Sequence, residues 1–555
     1  ADFVTTNEGT GIVHIAPAFG EEDMALGKKE NLPFVQHVAV DGAFKPEVKD
    51  FAGLPVKPKD HHQTTDIEII KYLDTHGLLF KKETITHSYP HCWRCETPLL
   101  NYAASSWFVM VTKIKDKLIA ANKKISWTPP HLQEGRFGKG LETAPDWAIS
   151  RSRYWGAPLP VWRCADCKKA HVIGSLAEME EKRVGAANTF FLMRHGERDD
   201  ISREVAHEYA RQDEIIVQSS VDADVHVTAV SKEELKRTAE ELKKKGVVFA
   251  AIYASPFIRT QETAGIFSEV FKVPVVTDGR IGELNHGSEF EGRMVKDYRA
   301  FFKTPLERFT KVPEGGESLN AVRCRMMDFA REVDAGYEGK NILVISHGDP
   351  LWILEGAMRN KTKEELWEDR ITRYIKQGEM RETVFPNYPF DEEGRLNLHR
   401  PYIDEIALRC DCGSEMKRIP EVFDCWFESG SMPYGQQHYM GGPIKNFPAA
   451  FIAEALDQTR GWFYSLHVLA SALFESPAYT HVLATGLILA EDGQKMSKHL
   501  KNYPDPMDVV ATYGADALRL YLLLSPAAYA EDLNFSEKGV DEISKKVIAR
   551  LSNVY

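Results

Sequence analysis

The middle of the chain alternates short apolar runs with an amphipathic segment of helical period. The runs "TFFLMRH", "VVFAAIYAS" and "NILVISHG" are apolar over most of their length, which predicts strands buried on both faces. Between the first two, "SKEELKRTAEELKKKG" places Leu235, Ala239 and Leu242 on one face of a predicted helix that Gly246 closes. This alternation predicts an α/β domain built on a parallel sheet.

On either side of this domain the amino-acid composition of the chain changes. Residues 86–175 are rich in Trp, Arg, Cys and Pro, and residues 395–440 again carry Cys, Trp and Gly. We therefore place the limits of the central domain near residues 187 and 392, the second within the turn-rich "VFPNYPFDEEGRLN". With 555 residues, the chain exceeds the ~250–300 residues that one hydrophobic core supports, so we expect roughly three to five compact units.

Composition restricts the class of protein without identifying it. Hydrophobic residues make up 43% and charged residues 27% of the chain, and no apolar stretch approaches the ~20 residues of a membrane span, so we expect no membrane partner. The formal net charge of -12 argues against nucleic-acid binding by bulk positive charge and leaves a local basic face open. The first residues show no secretory signal, which favours a cytoplasmic location.

Two histidines directly follow two of the predicted strands. His195 comes after "TFFLMR" and His347 after "NILVIS", and the carboxyl ends of parallel strands meet at one edge of a sheet. Arg194 adjoins the first histidine, and "YASPFIRTQETA" supplies Arg259 after the third strand. A histidine can attack phosphorus while guanidinium groups neutralise the nonbridging oxygens, and Glu283 in "RIGELNHGSEFEGR" is a candidate acid for the leaving oxygen. The pattern predicts a phosphoryl-transfer site.

Residues 188–391 resemble the histidine phosphatase family, which includes the cofactor-dependent phosphoglycerate mutases. The resemblance rests on the order of these five residues and on "GGESLNAVRCR", which matches a family segment. It implies that His195 becomes phosphorylated and that Glu283 donates the proton. If the domain is a hydrolase, a small phosphorylated metabolite or a tRNA end is the hypothesised substrate. The residues that would bind phosphate are, by the same resemblance, Arg194, Arg259 and His347. "VTAVSKEEL" replaces a stretch usual in the family, so the substrate and the activity of this domain stay open.

Six of the eight cysteines come in close pairs, which in a cytosolic chain indicates metal ligands rather than disulfides. Two pairs form one CxxC and one CxC element, the pattern of a tetrahedral zinc site: Cys164, Cys167, Cys410 and Cys412. Their halves lie about 240 residues apart, which an insertion of the central domain into the loop between them would explain. Cys92 and Cys95 form a further CxxC half-site without a second pair.

The segments that flank the central domain resemble the class I aminoacyl-tRNA synthetases. "DWAISRSRYWGAPLPVWRCADC", "VFDCWFESGSMP", "FIAEALDQTRGWFYS" and "GLILAEDGQKMSKHLKNYPDP" follow one another as in the isoleucyl-tRNA synthetases of this class, over nearly all of the roughly 350 flanking residues. The resemblance implies an ATP-dependent ligase that takes Mg²⁺ with its ATP and carries a structural Zn²⁺. It also implies isoleucine and tRNA(Ile) as the other substrates.

The loop "DGQKMSK" is polar, contains glycine and follows an apolar strand. Lys495 and Lys498 can therefore reach a bound triphosphate and stabilise the charge that develops at the α-phosphorus, which is the role that the resemblance also implies. The family usually has glycine where this chain has Lys501. The residues that the resemblance assigns to the substrate, although the tryptophans could equally pack in a core, are Glu454, Gln458, Trp426 and Trp462.

The segment "EGTGIVHIAPAFGEEDM" resembles the second half of the synthetase editing domain. One methylene distinguishes isoleucine from valine by only about 1–3 kcal/mol, so a second, hydrolytic site for mischarged valyl-tRNA is chemically required. By resemblance, Asp23 anchors the α-amino group and His14 lines the editing pocket. As isolated residues, they are more typical of a turn cap and of a core group.

These observations predict a multidomain α/β protein in which an α/β phosphatase-like domain interrupts a synthetase. The synthetase part comprises part of a class I nucleotide-binding fold, a partial β-rich editing domain and a zinc ribbon. The predicted domains are, in chain order, the C-terminal half of the editing domain (1–85), a return segment with the CxxC half-site (86–160), a split zinc ribbon (161–187 and 392–420) around the inserted domain (188–391), the second half of the catalytic domain (421–525) and the start of a helical stem (526–555).

The histidine-x-glycine-histidine motif of class I synthetases occurs nowhere in the sequence. We therefore expect the chain to be an internal segment of a longer synthetase that alone does not form the aminoacyl-adenylate. Three functions compete: tRNA aminoacylation by the parent synthetase, phosphate hydrolysis by the central domain, and use of an inactive phosphatase fold as a docking surface. A chimeric sequence is a further alternative, against which the in-register resumption at "LNLHRPYIDEI" argues.

Overall fold

The computed structural model describes residues 4, 11–92, 95–152, 155–199, 225–439, 441–498 and 500–555. The chain divides into two compact units, Ala1–Trp107 and Phe108–Tyr555. Helices and strands alternate through the second unit, which confirms the mixed α/β class predicted from the sequence. In the part of the chain that the structure describes, no helix is both long and apolar enough to cross a membrane.

As far as the structure describes it, the first unit contains two α-helices, α1 (Glu21–Glu30) and α2 (Thr64–Thr75). Acidic residues in the first turn of α1 and lysines in its last turn complement the helix dipole. Over its described residues, the β-pairing of this unit is limited to isolated bridges: Val38 with Phe44, Ala43 with Pro55, and His91 with Pro98. Turns and loops therefore make up most of the segment in which we expected β-rich structure, because a strand forms only where a neighbour pairs with it.

The second unit begins with short elements that lead to the central sheet. They are β1 (Phe108–Val109), α3 (Lys115–Asn122), β2 (Ser126–Thr128), α4 (Lys139–Thr143), β3 (Trp147–Ala148), β4 (Ser150–Arg151), β5 (Val161–Cys164), β6 (Ala170–Val172) and α5 (Leu176–Glu181). Ser175 caps the start of α5, where its side chain accepts from the backbone N–H of Glu178 at 3.1 Å.

Five strands then form the central sheet. Its elements and their connecting helices are β7 (Thr189–Arg194), α6 (Ala229–Lys244), β8 (Phe249–Ala254), α7 (Ile258–Phe271), β9 (Val275–Thr277), α8 (Val295–Ala300), α9 (Leu319–Ala335), β10 (Asn341–Ser346), α10 (Gly348–Met358), α11 (Lys363–Arg373) and β11 (Met380–Val384). The strand order is β11-β7-β10-β8-β9, with β11 antiparallel to β7 and the other four strands parallel.

Both faces of this sheet are buried. Phe190 and Leu192 of β7 pack on one side with residues of α9 and α10, and Phe191 and Met193 pack on the other side with residues of α6 and α7. Successive side chains of a strand point to opposite faces, so a strand covered on both sides needs an unbroken apolar run. Burial of both faces of β7 therefore explains why "TFFLM" is apolar without a break.

The chain continues beyond the central sheet with short strands and a series of helices. They are β12 (Leu408–Arg409), β13 (Glu415–Arg418), β14 (Val422–Phe423), α12 (Cys425–Gly430), α13 (Met432–Gly435), β15 (Ile452–Ala455), α14 (Trp462–Phe474), β16 (His481–Thr485), β17 (Ile488–Leu489), α15 (Pro506–Tyr513), α16 (Ala515–Leu524), β18 (Leu533–Asn534), α17 (Glu537–Ile543) and α18 (Ala549–Val554).

Besides the two-stranded pair of β4 and β14, two larger sheets join segments that precede the central sheet to segments that follow it. The antiparallel sheet β12-β13-β5-β6 pairs Met416 with Cys164, and the parallel sheet β15-β16-β2 pairs Val482 with Trp127. Each sheet has a core of its own, in which Trp162 and Phe463 are fully buried. The central sheet thus lies, along the chain, between two halves that pair with each other.

Candidate functional site

The parallel strands of the central sheet bring the predicted phosphate-binding residues to one edge. The last residue of β10 lies opposite the last residue of β7, and the last residue of β8 lies opposite the preceding residue of β10. His195, Ser255 and His347, which follow these strands, therefore leave the sheet at its carboxyl edge. Helix α7 begins at Ile258, so Arg259 lies in its first turn near the same edge.

His195 is buried, and its neighbours fix its protonation state. Its Nδ1 lies 2.7 Å from the carbonyl oxygen of Gly196, which can only accept, so Nδ1 carries the proton. Burial, followed by the charges of Arg259 and Arg194, lowers the pKa of His195 well below 6.5. The imidazole is therefore neutral near pH 7, and its Nε2 holds the lone pair that an attack on phosphorus needs.

His347 is fully buried beside His195, with their ring centroids 5.3 Å apart. Its Nδ1 lies 3.2 Å from Nη2 of Arg259, and its Nε2 lies 2.8 Å from Oγ of Ser255. Burial, followed by the charge of Arg259, lowers the pKa of His347 well below 6.5. The second imidazole is therefore also neutral.

Glu283 approaches His347 from the loop between β9 and α8. Its Oε2 lies 3.5 Å from Nδ1 of His347, and its side chain is 19% exposed. Burial raises the pKa of Glu283, against the opposing charge of Arg259. A carboxyl group that keeps its proton above its ordinary pKa can protonate a leaving oxygen.

Arg194 completes the group at the end of β7. It is buried, its Nη1 donates to the carbonyl oxygen of Ile375 at 3.2 Å, and its guanidinium carbon lies 5.7 Å from the centre of the Tyr374 ring. The structure thus brings together all five residues for which the sequence predicts phosphate chemistry. Two guanidinium groups beside two neutral imidazoles favour the binding of a phosphate anion.

Several buried groups at this edge escape prediction from the sequence. Ser255 bonds His347, and Thr263 accepts from the backbone N–H that follows His195, at 3.0 Å. Arg308 donates to Asp349 at 2.6 Å, and both side chains are buried. Ser255 carries a usable signal, because it directly follows an apolar strand as the two histidines do. The other contacts depend on packing between distant segments.

The four cysteines of the predicted ribbon form a compact cluster. Their sulfur atoms all lie within 4.8 Å of one another, with Cys164 and Cys412 3.6 Å apart and Cys167 and Cys410 also 3.6 Å apart. A tetrahedral zinc ion with Zn–S bonds of about 2.3 Å places its sulfurs about 3.8 Å apart. The donor set therefore fits Zn²⁺.

The cysteines of this cluster differ in acidity. Against a backbone hydrogen bond at Cys412, burial and hydrogen bonds with the other cysteines raise the pKa of Cys410 to about 12. Hydrogen bonds from the backbone and the side chain of Ser414 lower the pKa of Cys412 to about 6. Nε2 of His171 lies 3.6 Å from Sγ of Cys410, a contact that the sequence pattern does not reveal. A thiolate is the form of cysteine that binds a metal.

Three of the four residues that the resemblance assigns to the amino-acid substrate meet around Gly461. Oε1 of Gln458 accepts from the backbone N–H of Trp462 at 2.9 Å, and a Cβ at Gly461 would lie 2.6 Å from this oxygen and 3.1 Å from the Trp426 ring. Trp426 is 41% exposed, so it faces open space rather than a core. Glu454 lies exposed on β15, the strand that leads into the turn carrying Gln458.

The two predicted catalytic lysines lie on the loop between β17 and α15. Lys495 and Lys498 are exposed. Asn502 braces the loop between them: its Oδ1 accepts from the N–H of Ser497 at 2.9 Å, and its Nδ2 donates to the carbonyl oxygen of Lys495 at 3.1 Å. Lys501 has a φ of 48°, the left-handed conformation that glycine adopts at least cost.

In the first unit, the two predicted editing residues occupy different environments. Oδ2 of Asp23 accepts from the backbone N–H of Ala16 at 3.0 Å and thereby closes the turn before α1. His14 is exposed, so it is not a core group. The turn-capping interpretation of Asp23 therefore matches the observed contact.

Cys92 and Cys95 lie in a tight turn of the same unit. The backbone N–H of Glu96 donates to the carbonyl oxygen of Cys92 at 2.9 Å, and Sγ of Cys95 lies 2.8 Å from Oγ1 of Thr97. The hydrogen bond with Thr97 lowers the pKa of Cys95 to about 7. Among the residues that the structure describes, no third metal ligand completes this pair.

Comparison with known families assigns both parts of the chain. The family described as tRNA synthetases class I (I, L, M and V) matches residues 48–247 and 362–536, and the histidine phosphatase superfamily (branch 1) matches residues 190–374. The interruption of the first match lies within the second. Because the synthetase match covers more than half of its length, the chain belongs to the class I tRNA synthetase family.

Individual relatives of the chain point to a narrower group within this family. The isoleucine–tRNA ligase of Treponema denticola is 34% identical over 562 aligned residues, which cover 100% of this chain and 31% of that protein. The isoleucine–tRNA ligase of Chlamydia pneumoniae is 32% identical and is covered to 33%. The chain thus spans about a third of the length of these relatives. Among solved structures, an α-ribazole phosphatase from Shigella flexneri is 21% identical, with 39% of this chain and 96% of that chain covered and a TM-score of 0.28.

Proposed function

We propose that the chain is part of a cytoplasmic isoleucine–tRNA ligase that activates isoleucine with ATP and Mg²⁺ and transfers it to tRNA(Ile). The observation that carries this proposal is the similarity to isoleucine–tRNA ligases along the whole chain. The approach of the Trp426 ring and of Gln458 to Gly461 supports it, because an apolar ring then lies beside a polar amide, whereas the Trp462 side chain packs against the core of the β15-β16-β2 sheet. The side chain of isoleucine and its α-amino group need these two surfaces.

The two exposed lysines would act on the triphosphate of ATP. Lys495 and Lys498 project from a braced loop, so they can contact the triphosphate and stabilise the charge that develops as the isoleucine carboxylate attacks the α-phosphorus. Glu454, on the strand before the amino-acid pocket, would contact the aminoacyl-adenylate. His14 and Asp23 would serve the hydrolysis of valyl-tRNA(Ile) in the first unit.

The four clustered cysteines would hold one Zn²⁺. When bound, the ion supplies a structural crosslink between the turn after β5 and the turn after β12. These turns come from the two sides of the central domain. The ribbon would therefore fix both ends of the inserted segment.

Pyrophosphate exchange tests the ligase proposal. The sequence contains no histidine-x-glycine-histidine motif, so we propose that the 555-residue chain alone does not catalyse isoleucine-dependent exchange between ATP and pyrophosphate. In the protein encoded by the complete reading frame, we expect exchange, and Lys498→Ala should slow it about 100- to 1000-fold, the usual effect of removing one preorganised group. Lys501→Ala removes a lysine of the same loop and is the matched control. Exchange by the chain alone, or an unchanged rate in Lys498→Ala, contradicts the proposal.

The central domain has a second candidate function, which one observation favours: Nε2 of His195 carries a free lone pair at the same edge as Arg259, His347 and Glu283. We propose that this domain hydrolyses phosphomonoesters through a phosphohistidine. Nε2 of His195 forms a bond to phosphorus, the bond from phosphorus to the leaving oxygen breaks, and Glu283 gives that oxygen its proton. Water then attacks phosphorus, the N–P bond breaks, and the Glu283 carboxylate takes up a proton of the water.

A panel of phosphomonoesters separates this function from a docking role. We expect the 555-residue chain to release inorganic phosphate from p-nitrophenyl phosphate and from one or more small metabolites or tRNA 3′-phosphates. A chain that hydrolyses none of them, although it is folded and binds zinc, would instead use the phosphatase fold as a docking surface.

A further inference from the structure

Ser255 lies where β8 reaches the edge of the central sheet. Its side chain is fully buried, and its backbone carbonyl oxygen accepts from Oγ1 of Thr260 at 2.7 Å and from Nε2 of Gln261 at 2.6 Å. Its hydroxyl lies 2.8 Å from Nε2 of His347 and accepts from the N–H of Phe257 at 3.4 Å. A serine held this firmly presents its oxygen to one ring nitrogen only.

The other ring nitrogen of His347 determines which way this hydrogen bond runs. Nδ1 lies 3.2 Å from Nη2 of Arg259, and a guanidinium group can only donate. Nδ1 is therefore the acceptor and carries no proton. In the neutral ring the proton is then on Nε2, which donates to Oγ of Ser255.

This tautomer has a consequence for Glu283. Oε2 of Glu283 lies 3.5 Å from the same Nδ1, so the carboxyl group faces a nitrogen lone pair. A carboxylate would be repelled by the lone pair, whereas a carboxylic acid can point its proton toward it. The geometry points to Ser255 as a positioning residue: by accepting the Nε2 proton while Arg259 donates to Nδ1, it stabilises this tautomer of His347 and so keeps Glu283 in the acid form that protonates the leaving group.

This inference rests on the phosphatase function proposed above for the role of Glu283, but the role of Ser255 toward His347 does not depend on catalysis. The groups whose charge acts on Glu283 or His347 come from several elements: Arg194, His195, Arg259, Arg325, Asp349 and Tyr374. Burial and the charge of Asp349 raise the pKa of Glu283, whereas Arg259, Arg194 and the backbone N–H of Leu284 lower it. An unprotonated Nδ1 beside the carboxyl group acts in the same direction as burial.

The ¹⁵N chemical shifts of the His347 ring test the tautomer directly. We expect the wild-type chain, labelled with ¹⁵N-histidine, to show a protonated Nε2 and an unprotonated Nδ1 for the signal that disappears in His347→Gln. In Ser255→Ala the Nε2 proton loses its acceptor, and we expect the Nδ1-protonated form to become populated. Ser346→Ala is the matched control, because Ser346 is equally buried beside His347 but donates to the carbonyl oxygen of Ile281 at 2.6 Å. A protonated Nδ1 in the wild type overturns the inference, even if Ser255→Ala does not fold.

Leaving-group dependence tests the link to Glu283. Phenyl phosphate needs its leaving oxygen protonated, whereas p-nitrophenyl phosphate has a good leaving group. We expect Ser255→Ala to slow phenyl phosphate hydrolysis about 10- to 100-fold, within the range for general acid catalysis, and p-nitrophenyl phosphate hydrolysis by less than about 3-fold. With phenyl phosphate, the alkaline limb of the pH–rate profile of Ser255→Ala should move to lower pH, because a protonated Nδ1 stabilises the Glu283 carboxylate. Ser255→Thr, which keeps the hydroxyl, should restore the rate of phenyl phosphate hydrolysis and the position of the alkaline limb.

The outcomes separate the two proposals. Equal slowing of both substrates with an unmoved alkaline limb means that Ser255 has only a structural role, which overturns the inference. Absence of any hydrolysis by the wild type removes the phosphatase function and the acid role of Glu283 with it, and the ¹⁵N shifts then still decide whether Ser255 sets the tautomer of His347.

Discussion

The central domain and the segments that flank it hold their chemical groups in different ways. In the central domain, His195 and His347 are buried at the ends of adjacent parallel strands. In the flanking part, Lys495 and Lys498 are exposed on a loop, and Glu454 lies exposed on a separate strand. The residues of the first group are therefore positioned by a core, whereas those of the second group lie on exposed surface.

This difference determines how strongly the environment of each residue supports its predicted function. A buried histidine beside cations keeps the lowered pKa that nucleophilic attack requires, so its environment is itself evidence of chemistry. An exposed lysine has the same properties on any surface loop, so its function must come from the sequence around it. The four predictions that follow run from the largest expected effect to the smallest.

Removal of the proposed nucleophile should have the largest effect. His195→Ala deletes the group that we propose to bond phosphorus, so we expect hydrolysis of p-nitrophenyl phosphate to fall by at least about 1000-fold, as for nucleophile loss in other hydrolases. His399→Ala, an exposed histidine next to the ribbon, is the control and should retain its rate. A rate in His195→Ala within 10-fold of the wild type would show that the buried site is not catalytic.

Zinc binding in the flanking part should depend on both halves of the cysteine cluster. We expect about one Zn²⁺ per chain by atomic emission, and Cys410→Ser should weaken binding by more than about 100-fold, because even the loss of an outer-shell partner costs about 10- to 100-fold. Cys324→Ser is the control, since Cys324 is half-buried in α9 and lies outside the cluster. Retention of zinc by Cys410→Ser would refute a site shared between segments about 240 residues apart.

One histidine in each region has a pKa that burial lowers to about 4: the half-buried His286 in the central domain and the fully buried His467 in α14. Because the folded pKa lies below the unfolded value of 6.5, the stability that each neutral ring contributes is present above pH 6.5 and is lost as pH falls toward 4. The difference corresponds to about 3 kcal/mol for each histidine. Calorimetry between pH 7 and 4 should show this decline.

Glutamine substitutions sharpen the comparison, because glutamine cannot be protonated in this range. His286→Gln should reduce the pH dependence of the transition of the central domain, to which His195 and His347 also contribute, and His467→Gln that of the flanking region. If each variant changed both transitions equally, the two regions would unfold as one unit, and the distinction drawn between them would fail.

The smallest effect concerns the lysine loop. Lys501 has a φ of 48°, which costs a side-chain-bearing residue more than glycine. Lys501→Gly, which restores the residue usual in the family, should therefore change the free energy of unfolding by no more than about 1 kcal/mol, with relief of strain offset by the entropy of glycine. Urea unfolding measures this change, with Lys498→Gly as the control. A loss of several kcal/mol would mean that the Lys501 side chain holds the loop.

Much of the central site could be predicted from the sequence, and the reason is physical. Apolar runs that end in His195 and His347 define parallel strands, and parallel strands deliver their next residues to one edge. The hydrogen bond between Ser255 and His347 could not be predicted, because it depends on the register between β8 and β10. The pairing of Arg308 with Asp349 depends in the same way on how a distant turn packs.

In the flanking part, the sequence left the tryptophans ambiguous between core and pocket. The exposure of Trp426 and the close approach of its ring to Gly461 favour the pocket, which no pattern of apolar residues reveals. For Asp23 the sequence offered an editing role and a turn cap, and the contact with Ala16 is that of a cap. The editing role stays a prediction.

The measurement that tests the account most directly is a rapid-quench search for phosphohistidine. The 555-residue chain is mixed with p-nitrophenyl phosphate, quenched in base, in which phosphohistidine survives, and mapped by mass spectrometry. The account predicts phosphate on His195, present during turnover and absent after the substrate is exhausted. Hydrolysis without phosphate on any histidine, or phosphate on a residue outside the carboxyl edge of the central sheet, would contradict it.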